Sequence, residues 1–177
     1  MRNYFFILAL LFITITGCKK YEDGPLVSLR SPETRITGNW AIEGYYIDGE
    51  NAEIIEVFEQ VVCNGNQERV LRRADKLLKW DLILEESGKM HMEQRFEIKE
   101  TSNYCEPSYR KRESHRAYTG SWEFINDKTE LKLSFDANDR TEVYTIRELR
   151  KKSLFVVGDI PASFGEVNRV GLSFRKE

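Results

Sequence analysis

Leu78-Lys79-Trp80-Asp81-Leu82-Ile83-Leu84-Glu85 alternates large apolar residues with mostly charged ones. An apolar side chain at every second position is the period of a strand with one face buried and the other in water. The same pattern recurs along the chain: Trp40, Ile42 and Tyr46; Met90, Met92, Phe96 and Ile98; Tyr118, Trp122 and Phe124; Leu131, Leu133 and Phe135. Tyr144 with Ile146, Leu154 with Val156, and Val170, Leu172 and Phe174 extend it toward the C-terminus. These runs amount to about eight strands. Glu86-Ser87-Gly88, Asn126-Asp127-Lys128, Ala137-Asn138-Asp139 and Arg150-Lys151-Lys152 are connections of hairpin length, which pair sequence neighbours antiparallel.

Sequential hairpins on this scale predict a mainly β fold, an eight-stranded antiparallel up-and-down barrel, because closure removes exposed strand edges. A two-sheet sandwich is the alternative. One segment departs from the period of two. Ile54, Val57, Phe58, Val61 and Val62 recur at helical spacing, with Glu53, Glu56, Glu59 and Gln60 opposite, so Ala52 to Val62 is expected as a short amphipathic helix between the first two strands. A strand of irregular pattern is the competing assignment. Gln94 is polar at an inward phase between Met92 and Phe96 and there requires a buried partner, a water or a ligand.

The chain has 177 residues, 41% hydrophobic and 32% charged, which suits one globular domain and excludes a disordered or multi-span membrane protein. Its 27 basic and 29 acidic residues leave a net charge of −2, with no overall footprint for nucleic acid. Arg2 is followed by Tyr4 to Ile15, apolar but for one Thr and well short of the ~20 residues of a spanning helix. This is the pattern of a secretory signal.

Ile15-Thr16-Gly17-Cys18 resembles the lipobox of bacterial lipoproteins. The resemblance implies cleavage after residue 17 and acylation, as with palmitate, at Cys18, giving attachment to the outer membrane of a Gram-negative envelope without a spanning segment. Lys19-Lys20-Tyr21-Glu22-Asp23-Gly24-Pro25 is charged and turn-prone, as a tether is, and loosely resembles surface-export signals of such lipoproteins. The expected organisation is a signal peptide (1–17), a lipidated tether (18–33) and a barrel domain (34–177), periplasmic or surface-exposed.

A second resemblance covers the barrel. Gly38-Asn39-Trp40 is similar to the Gly-x-Trp signature of lipocalins, and Tyr118-Thr119-Gly120-Ser121-Trp122-Glu123-Phe124 with Lys128 to Leu133 is similar to a hairpin of bacterial lipocalin-like lipoproteins. It implies that Arg175 packs over Trp40 at the closed end. Members commonly carry cysteines where Cys63 and Cys105 stand. With Cys18 lipidated these two are also the only internal pair left outside the reducing cytoplasm, so a disulfide is expected over free thiols or a metal site.

The chain contains no Gly-x-Ser-x-Gly elbow, glycine-rich phosphate loop or His-Glu-x-x-His motif, and His91 and His115 lack partners at metal-ligand spacing. The expectation is a non-enzymatic binding protein with no catalytic residue, metal or cofactor. Interior or ligand-lining candidates are Trp40, Trp80, Gln94, Phe96 and Trp122. Two basic clusters, Arg69-Arg72-Arg73-Lys76 and Arg110-Lys111-Arg112-Arg116, would favour an anionic ligand if their connections share the barrel mouth, and a solvated rim otherwise. The ligand is therefore expected to be small and apolar or anionic. The alternative is an accessory interaction protein of an envelope assembly, with a filled core and no ligand.

Overall fold

The computed structural model describes residue 21 and residues 30–106, 108–161 and 167–177, with side chains left aside for 160, 161, 167 and 168. The expected signal segment and Cys18 lie outside the described residues. Those described form a short helix, α1 (Pro32–Ile36), and the strands β1 (Gly38–Ile47), β2 (Glu50–Asn51), β3 (Ile54–Cys63), β4 (Asn66–Leu84), β5 (Lys89–Asn103), β6 (Ser108–Ile125), β7 (Glu130–Phe135), β8 (Thr141–Leu149), β9 (Ser153–Pro161) and β10 (Val167–Lys176).

From β4 to β10 each strand pairs antiparallel with the next, and β10 pairs with β1. The ring closes where β1 returns to the end of β4, with Gly38 opposite Leu84 and Ala41 opposite Asp81. Eight strands, β1 and β4 to β10, thus make the closed up-and-down barrel that the alternation predicts. β1 uses only the last residues of β4, which is 19 residues long. The first half of β4 pairs instead with β3, and with the outer halves of β5 and β6 it makes a four-stranded arm beyond the barrel mouth.

The helix expected over Ala52 to Val62 is therefore strand β3. Its five β-branched residues, Ile54, Ile55, Val57, Val61 and Val62, lose rotamer freedom in a helix and fit a pleated surface. The two-residue turn Asn64-Gly65, both at positive φ (52° and 83°), then folds the chain into a hairpin. The bulge opposite Val57 and Phe58 adds its extra residue, Arg72, to β4, so β3 alternates without a break; its helical spacing arises because apolar residues stand on both faces, Ile54, Phe58 and Val62 on one and Ile55, Val57 and Val61 on the other. The stretch Gln67 to Lys76 is likewise strand, the first half of β4.

Two more bulges correct the inward assignments. One between Leu77 and Lys79 turns Leu77 and Trp80 inward and leaves Leu78 46% exposed. Another between Ile42 and Gly44 brings Tyr45 inward in place of Tyr46, which packs edge-on against Phe155.

The closed end is built by α1. Pro32 presets the first turn, and the Thr34 N–H donates to the Ser31 hydroxyl cap. Ile36 is fully buried, and the Trp40 indole N–H donates to its carbonyl at 2.6 Å. Lys176 lies over the Trp40 ring, 5.3 Å from its centre. Arg175 does not take that place. Phe174 faces the core, so the next residue faces out, where Arg175 meets Glu43 at 2.5 Å, and Lys176 returns inward.

Cys63 and Cys105 are disulfide-bonded, with Cα atoms 5.4 Å apart. The bond joins the β3–β4 turn to the β5–β6 turn, so it staples the tip of the arm. Closing a 42-residue separation constrains the unfolded chain by about 4 kcal/mol in the entropic account.

Trp40→Ala is expected to lower unfolding stability by ~3–5 kcal/mol, measured by urea denaturation. A midpoint left unchanged would remove Trp40 from the core. Reducing and alkylating Cys63 and Cys105 is expected to speed amide exchange in Val70–Ala74 and Lys99–Thr101 by about tenfold or more, while Leu131–Phe135 keeps its protection. Equal acceleration in both would show that arm and barrel open together.

Candidate functional site

Below the level of Trp80 the barrel is filled. Leu82, Leu131, Leu133, Leu172 and Phe174 leave between them a void of only about 10 Å³, the scale of a single water. Above Trp80 the interior opens into a cavity of about 140 Å³ at the mouth. Trp80 and Met92 border both spaces and so form the partition.

The bulge before Lys79 supplies one wall, since it turns both Leu77 and Trp80 into this space. The β5–β6 register supplies the facing wall: Met92 opposite Tyr118, and Gln94 opposite Arg116. Phe96, Phe135 and Tyr45 complete an aromatic lining, and Ile55 arrives from β3. Trp80 is 5% exposed, stands edge-on to Phe174, and its indole N–H is buried with no hydrogen-bond partner. A buried donor left unpaired costs ~1–3 kcal/mol, which an acceptor placed beside it would recover.

Charge is concentrated at the rim. Asp75 is held by the Arg73 guanidinium through two hydrogen bonds of 2.5 and 2.7 Å. Glu142 pairs with Arg140 and accepts a 2.8 Å bond from the Tyr144 hydroxyl. Arg140 also lies over the Phe135 ring at 5.6 Å. Asp75 and Glu142 are thus neutralised locally, and Glu53 is a third carboxylate of the lining. Arg116 stacks over Phe96 at 5.7 Å and has no ion pair among the described residues. Burial pushes up the Tyr45 phenol, and burial with the adjacent Glu142 pushes the Tyr144 phenol well up, so both remain hydrogen-bond donors at neutral pH.

The residues singled out from the sequence divide in space. Trp80, Gln94 and Phe96 line the cavity. Trp40 belongs to the closed end, and Trp122 packs on Phe124 with its N–H donating to the Glu85 carbonyl at 2.8 Å. The basic clusters stand on strands β4 and β6 rather than on loops, and only Arg116 among them reaches the cavity. Arg73 and Arg112 meet across the arm at Glu100, at 3.9 and 3.1 Å, and Arg72 meets Glu59 at 3.6 Å. His115 is also on β6, 3.0 Å from Glu93, and His91 is 3.3 Å from Glu85. Among the described residues no three His, Cys, Asp or Glu side chains are grouped to hold a metal ion. Sequence reasoning missed Tyr45, Leu77, Arg140 and Glu142, because their inward or rim positions depend on bulges and on β8 reaching the mouth.

No protein-family model matches the chain, and no curated protein matches it. Among solved structures it is similar to a bovine odorant-binding protein in complex with a selenium-containing odorant, at 11% identity and a TM-score of 0.39, over 85% of this chain and 75% of that one. So distant a likeness carries no argument about a ligand. The class of protein rests on the strand order itself: a closed eight-stranded antiparallel barrel with a small aromatic cavity at its mouth.

Because the Tyr144 pKa is raised in the fold, unfolding is increasingly favoured as pH rises past ~10, where the phenol of the unfolded chain ionises. Tyr144→Phe is expected to flatten the fall of stability between about pH 9 and 11, measured by urea midpoints across that range. An unchanged slope would place the Tyr144 phenol in solvent.

Proposed function

We propose that the protein is a lipid-anchored envelope barrel that binds a small ligand, mainly apolar and carrying an anionic or hydrogen-bond-accepting group, in its mouth. The mouth cavity is the observation that carries this reading. At about 140 Å³ it matches the size of cavities that accept benzene, and it lies below the 300–1,000 Å³ of drug-sized sites. Its aromatic walls favour an apolar body. The Trp80 N–H and the Arg116 guanidinium favour an acceptor or anionic end. The lipobox-like run ending at Cys18 supports anchoring in a Gram-negative envelope through acyl chains.

Benzoate is a probe of fitting size and charge. Titrated into the soluble domain, it is expected to shift the Trp80 indole N–H resonance saturably, with Leu77→Trp abolishing the shift by filling the cavity. Arg116→Gln should weaken binding about two- to fivefold, the range of an exposed ion pair. A Trp80 resonance unmoved at millimolar benzoate would overturn binding in the mouth. A second reading, an interaction module, is favoured by the arm, where Phe58, Val62 and Tyr109 are 41%, 66% and 49% exposed.

A further inference from the structure

Tyr21 is buried at the closed end, 3% exposed, although it lies only three residues beyond Cys18. Its hydroxyl donates to the Lys128 carbonyl at 3.0 Å, in the turn between β6 and β7. The Arg35 guanidinium covers its ring at 5.7 Å and itself donates to the Leu149 carbonyl at 2.6 Å, at the end of β8. Tyr21 is therefore fixed at the end of the barrel opposite the mouth.

Three residues span at most about 11 Å even when fully extended. The barrel is much longer than that. β1 alone runs for ten residues from the closed end to the mouth, about 33 Å of strand. A membrane holding Cys18 is thus within reach of the closed end and out of reach of the mouth and the arm.

The same end is basic on one side. The β8–β9 turn presents Arg150, Lys151 and Lys152, all exposed, and the Lys176 backbone N–H donates to the Lys152 carbonyl at 3.0 Å. Arg30 lies near enough to help lower the Lys176 pKa, though burial is the larger cause. Of the acidic groups at this end, Glu33 is engaged by Lys128 and Glu148 by Arg150 at 3.3 Å, and Glu177, whose backbone N–H donates to the Asn39 carbonyl at 3.0 Å, is exposed beside Lys176. Glu85, Glu86 and Asp127 belong to the β4–β5 and β6–β7 turns. Lysine and arginine clusters are attracted to phosphate headgroups within a Debye length of the surface.

We infer that the closed end, with the Tyr21 seat and the Arg150-Lys151-Lys152 turn, is the face that lies on the phosphate headgroups of the membrane holding Cys18. The mouth and the stapled arm point away from it. This rests on the lipidated-Cys18 reading and adds an orientation to it. The ligand cavity then opens to the aqueous side rather than to the bilayer, so its ligand arrives through water.

The test uses the mature chain from Cys18, acylated in its host or coupled through the Cys18 thiol to a maleimide lipid, on vesicles of phosphatidylcholine and phosphatidylglycerol. A bimane fluorophore is placed on Lys151→Cys at the closed end or on Gln67→Cys at the exposed arm tip, each with circular dichroism as a check of folding. Quenching by a headgroup-nitroxide lipid is expected to be at least threefold stronger at position 151. Replacing Arg150, Lys151 and Lys152 by Gln in a chain that also carries Cys18→Ser should cut its residual binding to phosphatidylglycerol vesicles at least threefold. Equal quenching at the two positions, or stronger quenching at 67, overturns the orientation while leaving anchoring intact. Unchanged residual binding overturns the role of the basic turn. A free Cys18 thiol in protein taken from the envelope overturns the anchoring reading itself, and with it the membrane role of this face.

Discussion

The pairing of Gly38–Ala41 with Asp81–Leu84 is the contact on which the architecture depends, because it alone turns a ten-strand sheet into a barrel. It spans four residues of β1 and ends after Ala41, just before the β1 bulge between Ile42 and Gly44. β1 leaves α1 at Gly38, whose φ of 128° is open only to glycine, and a Cβ there would stand 2.5 Å from the Lys176 side chain. β1 meets β4 only at the last residues of β4, and the rest of that β4 edge needs another partner. Backbone donors and acceptors left without partners are costly, and β3 takes up that edge. The arm follows from the shortness of the closure.

The arm carries its own edges, the outer sides of β3 and of Ser108–Ala117 in β6, which have no strand partner among the described residues. An unpaired edge is a template for aggregation unless charged residues guard it. This gives a physical reason for the run Arg110-Lys111-Arg112-Glu113 and for Glu53, Glu56 and Glu59 on or beside β3. Much of that charge is also cross-linked over the sheet, as Arg112 is to Glu100 and Arg72 to Glu59. The charge clusters that suggested an anion-binding rim in the sequence thus serve mainly the arm, and Arg116 alone among them reaches the cavity.

The barrel was legible because burial on one face imposes a period of two, and the hairpin turns name their own residues. The disulfide was legible by counting cysteines against compartment. What the sequence could not show is where the period slips. Each bulge adds one residue to one strand, which inverts the phase beyond it without any change in composition. The slip at Leu78 aims both Leu77 and Trp80 at one space and so makes the cavity wall. The slip near Glu43 replaces Tyr46 by Tyr45, whereas β3 has the spacing of a helix without any slip, because it carries apolar residues on both of its faces. The error over Arg175 and Lys176 is of the same kind, a single residue of phase at a strand end.

The two ends of the barrel solve opposite problems with similar side chains. At the mouth, arginines stack on Phe96 and Phe135 and leave their polar edges in solvent, so the space beneath stays open. At the closed end Arg35 is 8% exposed, and a cation so deeply buried is tolerated only where its desolvation is offset. The offset is partial: the Leu149 carbonyl takes one donor and the Tyr21 ring covers the guanidinium face, while the buried Arg35 Nε has no hydrogen-bond partner among the described residues. Burial pushes the Tyr21 phenol up to about 12, so it stays protonated and keeps its bond to the Lys128 carbonyl at every physiological pH. Tyr21 is therefore part of the lid that keeps water from Arg35 and Trp40. Whatever holds Tyr21 in its seat stabilises the barrel by the same free energy with which the barrel holds Tyr21, so Tyr21 and the closed end form one thermodynamic unit.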